Sequence, residues 1–324
     1  MEAYSMVNLP WGGSVSFYAF WLALGALIAA VWAVYRAHDH EVGAPCAVLF
    51  VLLSGVLGLG LGRAVYCGVR YERLFFDPRG EFIGLAPFLD FSQGGVNVIG
   101  VLLGVLLAAL LSGLLCRRSV LAILDSACVP GLALFAYARF VEPFSGMGFG
   151  DLVFEEALCR FPFAMENGMG DYALSVCFIE AVLAFVAAVI AFIVDIRSKK
   201  NGTAAGVALA LLCVTQILPE SLRLDDVLFL FIFARVSQIG YAALLAGVLA
   251  ASLIRGGRRG LSGKIIALEI VLLLLGVGVC IGAEFALDKT NLPNTLVYAV
   301  MLAALLGMGF LTVHRVMKED KIDG

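Results

Sequence analysis

The stretch AYARFVEPF, residues 136–144, sets Arg139 three residues ahead of Glu142 in an otherwise apolar segment. On a helix that spacing puts both side chains on one face. The guanidinium offers a planar fork of donors that matches a phosphate. The carboxylate beside it can neutralise the cation or take up a substrate proton. Ionised groups at membrane depth cost free energy, so their presence points to function. Polar residues of the same kinds recur at other helix ends: Tyr18, Arg63, Asn97, Glu180, Gln216, Glu220, Arg223, Arg235 and Gln238.

The elements that must position them are membrane helices. Of 324 residues, 62% are hydrophobic and only 15% charged, and the mean hydropathy is +1.00. The bilayer is therefore the solvent. A net charge of −3 gives no argument for nucleic acid as a partner. A span needs about 20 apolar residues, and nine segments qualify: 15–36, 46–67, 95–116, 125–142, 173–196, 203–219, 228–254, 264–286 and 294–316. The expected fold is all-α, a polytopic bundle with no transmembrane β structure. The first run lacks a basic leader and a small-residue cleavage site, and reads as a retained span. Two longer joints, 68–94 and 143–172, hold Pro, Gly and mixed charge and read as ordered loops on the membrane surface.

Orientation follows from Lys and Arg. One set of joints carries Arg36, Arg117, Arg118, Arg197, Lys199, Lys200, Arg255, Arg258, Arg259 and Lys264, and the tail adds Arg315, Lys318 and Lys321. The other set carries Arg70, Arg73, Arg79, Arg160, Arg223 and Lys289 among many acids. The richer set belongs in the cytoplasm, so the N-terminus is expected outside and the C-terminus inside. This topology brings the polar groups of the first seven spans to the outer leaflet. Arg63, Arg139, Glu142, Glu220 and Arg223 are expected to line one pocket there, with phosphate as its natural ligand and a phospholipid headgroup as the nearest phosphate. The bland alternative is that the arginines snorkel and the acids neutralise them.

Gly94, Gly95, Gly100 and Gly104 in and before the third span, and Gly146, Gly148 and Gly150 after the fourth, allow close approach either of a ligand or of another helix. The eight cysteines form no CxxC and read as small apolar residues. They suggest neither a disulfide framework nor zinc, and no metal or other cofactor is expected.

The order of several motifs resembles the prolipoprotein diacylglyceryl transferase family over residues 10–255. SVSFYAFWLALG resembles its first span, with Tyr18 at the family tyrosine. GLGRAVY resembles its glycine-arginine-tyrosine stretch at Arg63, and QGGVNVIG its DGG-hydrophobic-SFHGG motif. ARFVEPFSGMGFG resembles the signature GRLGNFINGELWG, with Arg139 on the arginine and Gly146 and Gly150 on two glycines. QILPESLR resembles FRIIVEFFR, with Glu220 and Arg223 on its glutamate and last arginine, and RVSQIGYAALLAG resembles the last span at Gln238. The departures are specific. Ile99 stands in place of the histidine, Glu142 of the signature asparagine, Met147 of its glutamate and Gln216 of the first arginine. GDYALSV replaces the HPSQLYE box, and only Glu180, further along, keeps its place.

The resemblance implies a seven-span core, 1–255, with an outside N-terminus, followed by two extra helices and a cytoplasmic tail, 256–324. It implies residence in the bacterial cell membrane. It also implies transfer of the diacylglyceryl group of phosphatidylglycerol to the lipobox cysteine of a lipoprotein precursor, recognised through its signal peptide. Arg139 and Arg223 would then hold the phosphate, Glu142 or Glu220 would handle protons, and the remaining polar and glycine positions would bind substrate. Two other readings stay open: an inactive homologue that binds a phospholipid or a partner, and a lipid transporter using the extra spans. No paired pattern of broken helices supports the transporter.

Overall fold

The computed structural model describes residues 6–8, 12–90, 95–167, 169–224, 228–229 and 235–323, with 288 and 321–323 as backbone alone. Among these residues, nine helices are long and apolar enough to cross a membrane. The first two are α1 (Phe17–Asp39) and α2 (Ala44–Val69), followed by a short α3 (Tyr71–Phe75) off the end of α2. Then come α4 (Val98–Cys116) and α5 (Val120–Val141), the latter prolonged by a 3-10 turn, Glu142–Ser145. The chain continues with α6 (Val176–Asp195), α7 (Thr203–Leu222), α8 (Val236–Arg258), α9 (Gly263–Lys289) and α10 (Asn294–Asp323).

Local chemistry starts these helices where they start. Ser16, Asn97 and Ser119 each accept a backbone N–H of the following turn, from Ala19, Ile99 and Ala122. The first turn of α7 has no cap of its own, because Gly202 stands at that position. Asp125 of α5 supplies one, accepting from the N–H of Gly202 at 2.5 Å and of Ala205 at 2.8 Å. A carboxylate there also complements the positive end of the helix dipole.

Successive spans alternate in direction. At the lysine-rich end, Arg36 of α1 pairs with Asp195 of α6. At the other end, α5, α6, α7 and α8 meet beneath the long joints. The 143–172 joint folds back as a three-stranded antiparallel sheet of β3 (Phe149–Leu152), β4 (Ala164–Glu166) and β5 (Tyr172–Ser175), with β5 in the middle. A two-stranded ribbon, β1 (Met6–Asn8) with β2 (Ser14–Ser16), precedes α1.

Glycine governs the α2–α4 contact. A Cβ on Gly104 would lie 2.5 Å from the Leu57 carbonyl and 2.6 Å from the Cα of Gly58. One on Gly100 would collide with the Leu61 carbonyl. Gly58 and Gly62 on α2 thus face Gly100 and Gly104 on α4, two four-residue glycine spacings in backbone contact. Here the glycines serve helix packing. Gly94 lies outside the described residues, and Gly95 has open space around it.

Several boundaries differ from expectation; the fourth span begins at Val120, not 125, and the ninth runs on to Asp323. The seventh span begins at Val236, not 228. Leu228 and Phe229 instead fold back, the Leu228 carbonyl accepting the N–H of Val236 at 2.9 Å and Phe229 bridging Arg235; residues 230–234 lie outside the described residues. A short run rich in Leu, Phe and Ile suits an extended segment as well as a helix, and hydropathy does not separate the two. The sixth span runs on through Pro219 to Leu222. Glu220 therefore sits in its last turn, and Arg223 caps it. The long joints, expected as ordered loops, also contain regular structure: α3 in one and the β3–β5–β4 sheet in the other.

The C-terminal pair is bolted to the rest. Met301, Leu305 and Met308 of α10 are buried in one core with Tyr241, Leu245 and Leu249 of α8 and Cys213 of α7. At the lysine-rich end Glu319 accepts from Ser252 at 2.5 Å and Arg255 at 3.0 Å, and lies 3.5 Å from Lys200. Asp320 accepts the N–H groups of Lys199 and Lys200 at 3.1 and 3.0 Å.

Candidate active site

Four charged side chains meet where α5, α6 and α7 converge. Arg139 comes from the last turn of α5, Glu142 from the 3-10 turn after it, Glu180 from the second turn of α6 and Arg223 from the cap of α7. Nη1 of Arg139 donates to both oxygens of Glu142, at 3.1 and 2.9 Å, and its Nε lies 3.2 Å from Oε2 of Glu180. Arg223 donates from Nη2 to Oε1 of Glu142 at 2.5 Å. Its Nη1 reaches Oε2 of Glu142 at 3.2 Å and Oε2 of Glu180 at 2.9 Å. Each carboxylate therefore touches both guanidiniums, and the formal charges cancel. Glu180 is fully buried, and Glu142 and Arg223 are less than a tenth exposed. Burial on this scale is tolerable only because every charge is paired. The guanidinium of Arg139 also lies over the Phe135 ring, 5.1 Å from its centroid.

Glu220 stands beside this lattice, on the same turn as Arg223. It is buried, and it lies close enough to Glu180 and Tyr241 to interact electrostatically with both. Among the described residues its carboxylate has no hydrogen bond or ion pair. Three buried polar atoms around it lack a hydrogen-bond partner among the described residues: Oε1 of Glu180, Oε1 of Gln216 and the hydroxyl of Tyr241. Gln216 donates to the Glu180 carbonyl at 3.4 Å, and both Gln216 and Tyr241 are fully buried. Buried polar groups are normally satisfied, and all but the Tyr241 hydroxyl are acceptors only, so this corner suits a ligand that brings hydroxyl donors. Tyr18 of α1, half-buried, interacts electrostatically with Glu142, Arg139 and Arg223 from the rim.

The loop glycines shape the floor. Gly146, at φ 76°, ends the 3-10 turn. A Cβ on Gly150 would stand 2.6 Å from the Leu222 carbonyl, so only glycine lets β3 cross the end of α7. The Leu224 N–H donates to the Phe149 carbonyl there, at 3.0 Å. Gly148 leaves room for Cys177, whose N–H donates to its carbonyl at 2.9 Å.

A second polar knot adjoins the first. Nε2 of Gln238 donates to the Ser221 hydroxyl at 2.8 Å and to Oε1 of Glu284 at 2.6 Å. Ser221 donates to the same Glu284 oxygen, and Arg235 donates to the Ser221 carbonyl at 3.3 Å.

Arg63, expected in the single pocket, and Asn97, expected to bind substrate, are both engaged by backbone. Arg63 is fully buried and donates to the carbonyls of Phe88, Gly95, Pro87 and Asp90 at 2.9, 3.0, 2.8 and 2.6 Å. Asn97 caps α4, and its N–H donates to the Gly62 carbonyl. Both tie described residues, 86–90 and 95–97, to the α2–α4 pair. A guanidinium carries five donors, and backbone carbonyls satisfy them here as well as a phosphate would. The motif reading passed over Tyr241, Ser221, Cys177 and Glu284. The available signal for Tyr241 and Glu284 was a polar residue alone in an apolar run.

The ion-paired residues fall in one continuous family match. The model of prolipoprotein diacylglyceryl transferase matches residues 6–254. The chain belongs to that family. A search of curated proteins finds no match. The transferase region thus spans α1 to α8 and includes all four residues of the ion-paired lattice. It stops before α9 and α10. Ile99, which the motif resemblance sets against the family histidine, packs its side chain against Gly240, one residue from Tyr241. An apolar contact occupies that place.

Proposed function

We propose that the protein transfers the diacylglyceryl group of phosphatidylglycerol to the cysteine thiol of a lipoprotein precursor. The thiol sulfur attacks the terminal glyceryl carbon of the diacylglyceryl group. A C–S bond forms, the C–O bond to phosphate breaks, glycerol phosphate leaves and the thiol proton passes to a base. The observation that carries this reading is the convergence of Arg139 and Arg223, from two separate family motifs, on one buried spot. A bidentate guanidinium pair stabilises charge developing on the departing phosphate. Glu220 is the better-placed base: the oxygens of Glu142 are occupied by two arginines, and those of Glu220 have no such partner among the described residues. The phospholipid enters from the outer leaflet of the bacterial cell membrane, and its phosphate competes with Glu142 and Glu180 for the two forks.

A second reading is a homologue that binds phospholipid without transferring it. Ile99 against Gly240, in the place of the family histidine, favours it. Complementation separates the two. A conditional strain deprived of its own transferase should grow on this protein and not on the Arg139→Ala chain at equal expression. Wild-type protein that fails to support growth, yet retains phosphatidylglycerol through purification, would establish the second reading.

A further inference from the structure

α9 and α10 lie beyond the family match, which ends at residue 254, yet one carboxylate of α9 reaches the last turn of α7. That turn is weak by construction. The final carbonyls of a helix have no partner within it, and Pro219 removes one donor four residues from the end. The turn nevertheless carries Glu220 and Arg223. It is held from outside at Ser221, which lies between them. The Ser221 hydroxyl donates to Oε1 of Glu284 and accepts from Gln238, and its carbonyl accepts from Arg235. Gln238 in turn donates to Oε1 of Glu284 at 2.6 Å and to the Ile217 carbonyl at 3.4 Å. A carboxylate inside the apolar run 270–287 of α9 is costly, and this one spends its acceptor on two donors flanking the candidate site. Hydrogen bonds to a charged acceptor are about twice as strong as neutral ones.

We infer that Glu284 is a positioning residue of the transfer site: it clamps Ser221 and Gln238 and so sets the α7 turn from which Arg223 reaches Glu142 and Glu180. A helix beyond the family match, α9, thereby completes the site of the family region. The inference rests on the proposed transfer reaction for its kinetic readout alone.

The test uses the full-length protein with Glu284→Ala, Glu284→Gln and Ser221→Ala, and two measurements. Amide hydrogen exchange over 217–224 should rise about tenfold or more in Glu284→Ala and in Ser221→Ala. It should rise less in Glu284→Gln, whose carboxamide oxygen accepts the same two bonds without the charge. In transfer assays Glu284→Ala should raise KM for phosphatidylglycerol as well as lower kcat; a loss of folded protein alone would lower kcat and leave KM unchanged. The effect of the Ser221→Ala/Glu284→Ala double variant should fall short of the sum of the single ones, since both remove the Ser221–Glu284 bond. Wild-type exchange over 217–224 in both alanine variants, or equal impairment in Glu284→Gln and Glu284→Ala, would overturn the inference. Should the wild type show no transfer, that result counts against the transfer reaction, and the exchange measurement still decides the role of Glu284.

Discussion

Arg139 and Glu142, three residues apart, prove to be half of a four-membered lattice whose other half comes from α6 and α7. Pairing of this kind makes each member expensive to remove. Arg139→Ala leaves Glu180 and Glu142 sharing Arg223 alone and should cost about 3–5 kcal/mol, read as a lower unfolding temperature in detergent. Arg139→Lys should recover only part of it, because one ammonium cannot reproduce the fork. Glu142→Gln removes a competitor for the arginines, so affinity for phosphatidylglycerol should rise while stability falls; unchanged affinity would show that the phosphate never meets these guanidiniums. Glu220→Gln should lower the transfer rate by about 10²–10⁴ with phospholipid binding retained. Equal activity would remove Glu220 as the base. The meeting of Arg139, Glu142 and Arg223 was legible from sequence, since alternating spans place them at one end; Glu180 was set at the same end but not in the expected pocket. The role of Arg63 was not. Its partners are carbonyls of the 86–95 segment, and side-chain patterns carry no record of where a loop turns its backbone.

The helices fail or hold for reasons that differ from contact to contact. The α2–α4 pair depends on absent side chains: Gly104 lies against the backbone at Leu57 and Gly58, and a larger residue has nowhere to go. Gly104→Leu should push the pair apart and destabilise the protein by about 1–3 kcal/mol or more. It should also loosen the 86–95 segment that Arg63 holds, seen as faster proteolysis there. Normal stability and normal proteolysis would mean that the helices can part without cost. The α7 start depends on a foreign carboxylate, Asp125, and the α7 end on Ser221 and its neighbours. Hydropathy alone located the spans well, because uninterrupted apolar runs are what a bilayer requires. It misplaced the start of α8, where Leu228 and Phe229 pair with Val236 and Arg235 rather than belonging to the helix.

The nine spans form one body in which α10 shares a core with α7 and α8, and Glu319 and Asp320 tie its end to the lysine-rich joints. The proposed orientation puts those joints in the cytoplasm and the Arg139 lattice under the outer leaflet. In a chain stripped of its native cysteines, a single cysteine at position 85 should react with an impermeant reagent in whole cells, and one at position 201 should not. The reverse labelling would invert the topology and leave the lattice on the wrong side for a secreted precursor. The family match and the lattice together make transfer from phosphatidylglycerol the central claim, and purified protein tests it most directly. Incubated with phosphatidylglycerol labelled in its acyl chains and a lipobox peptide, the wild-type protein should deliver the label to the cysteine thiol and release glycerol phosphate, and the Arg139→Ala protein should do neither. Full transfer by folded Arg139→Ala protein, or none by folded wild type, would contradict the account.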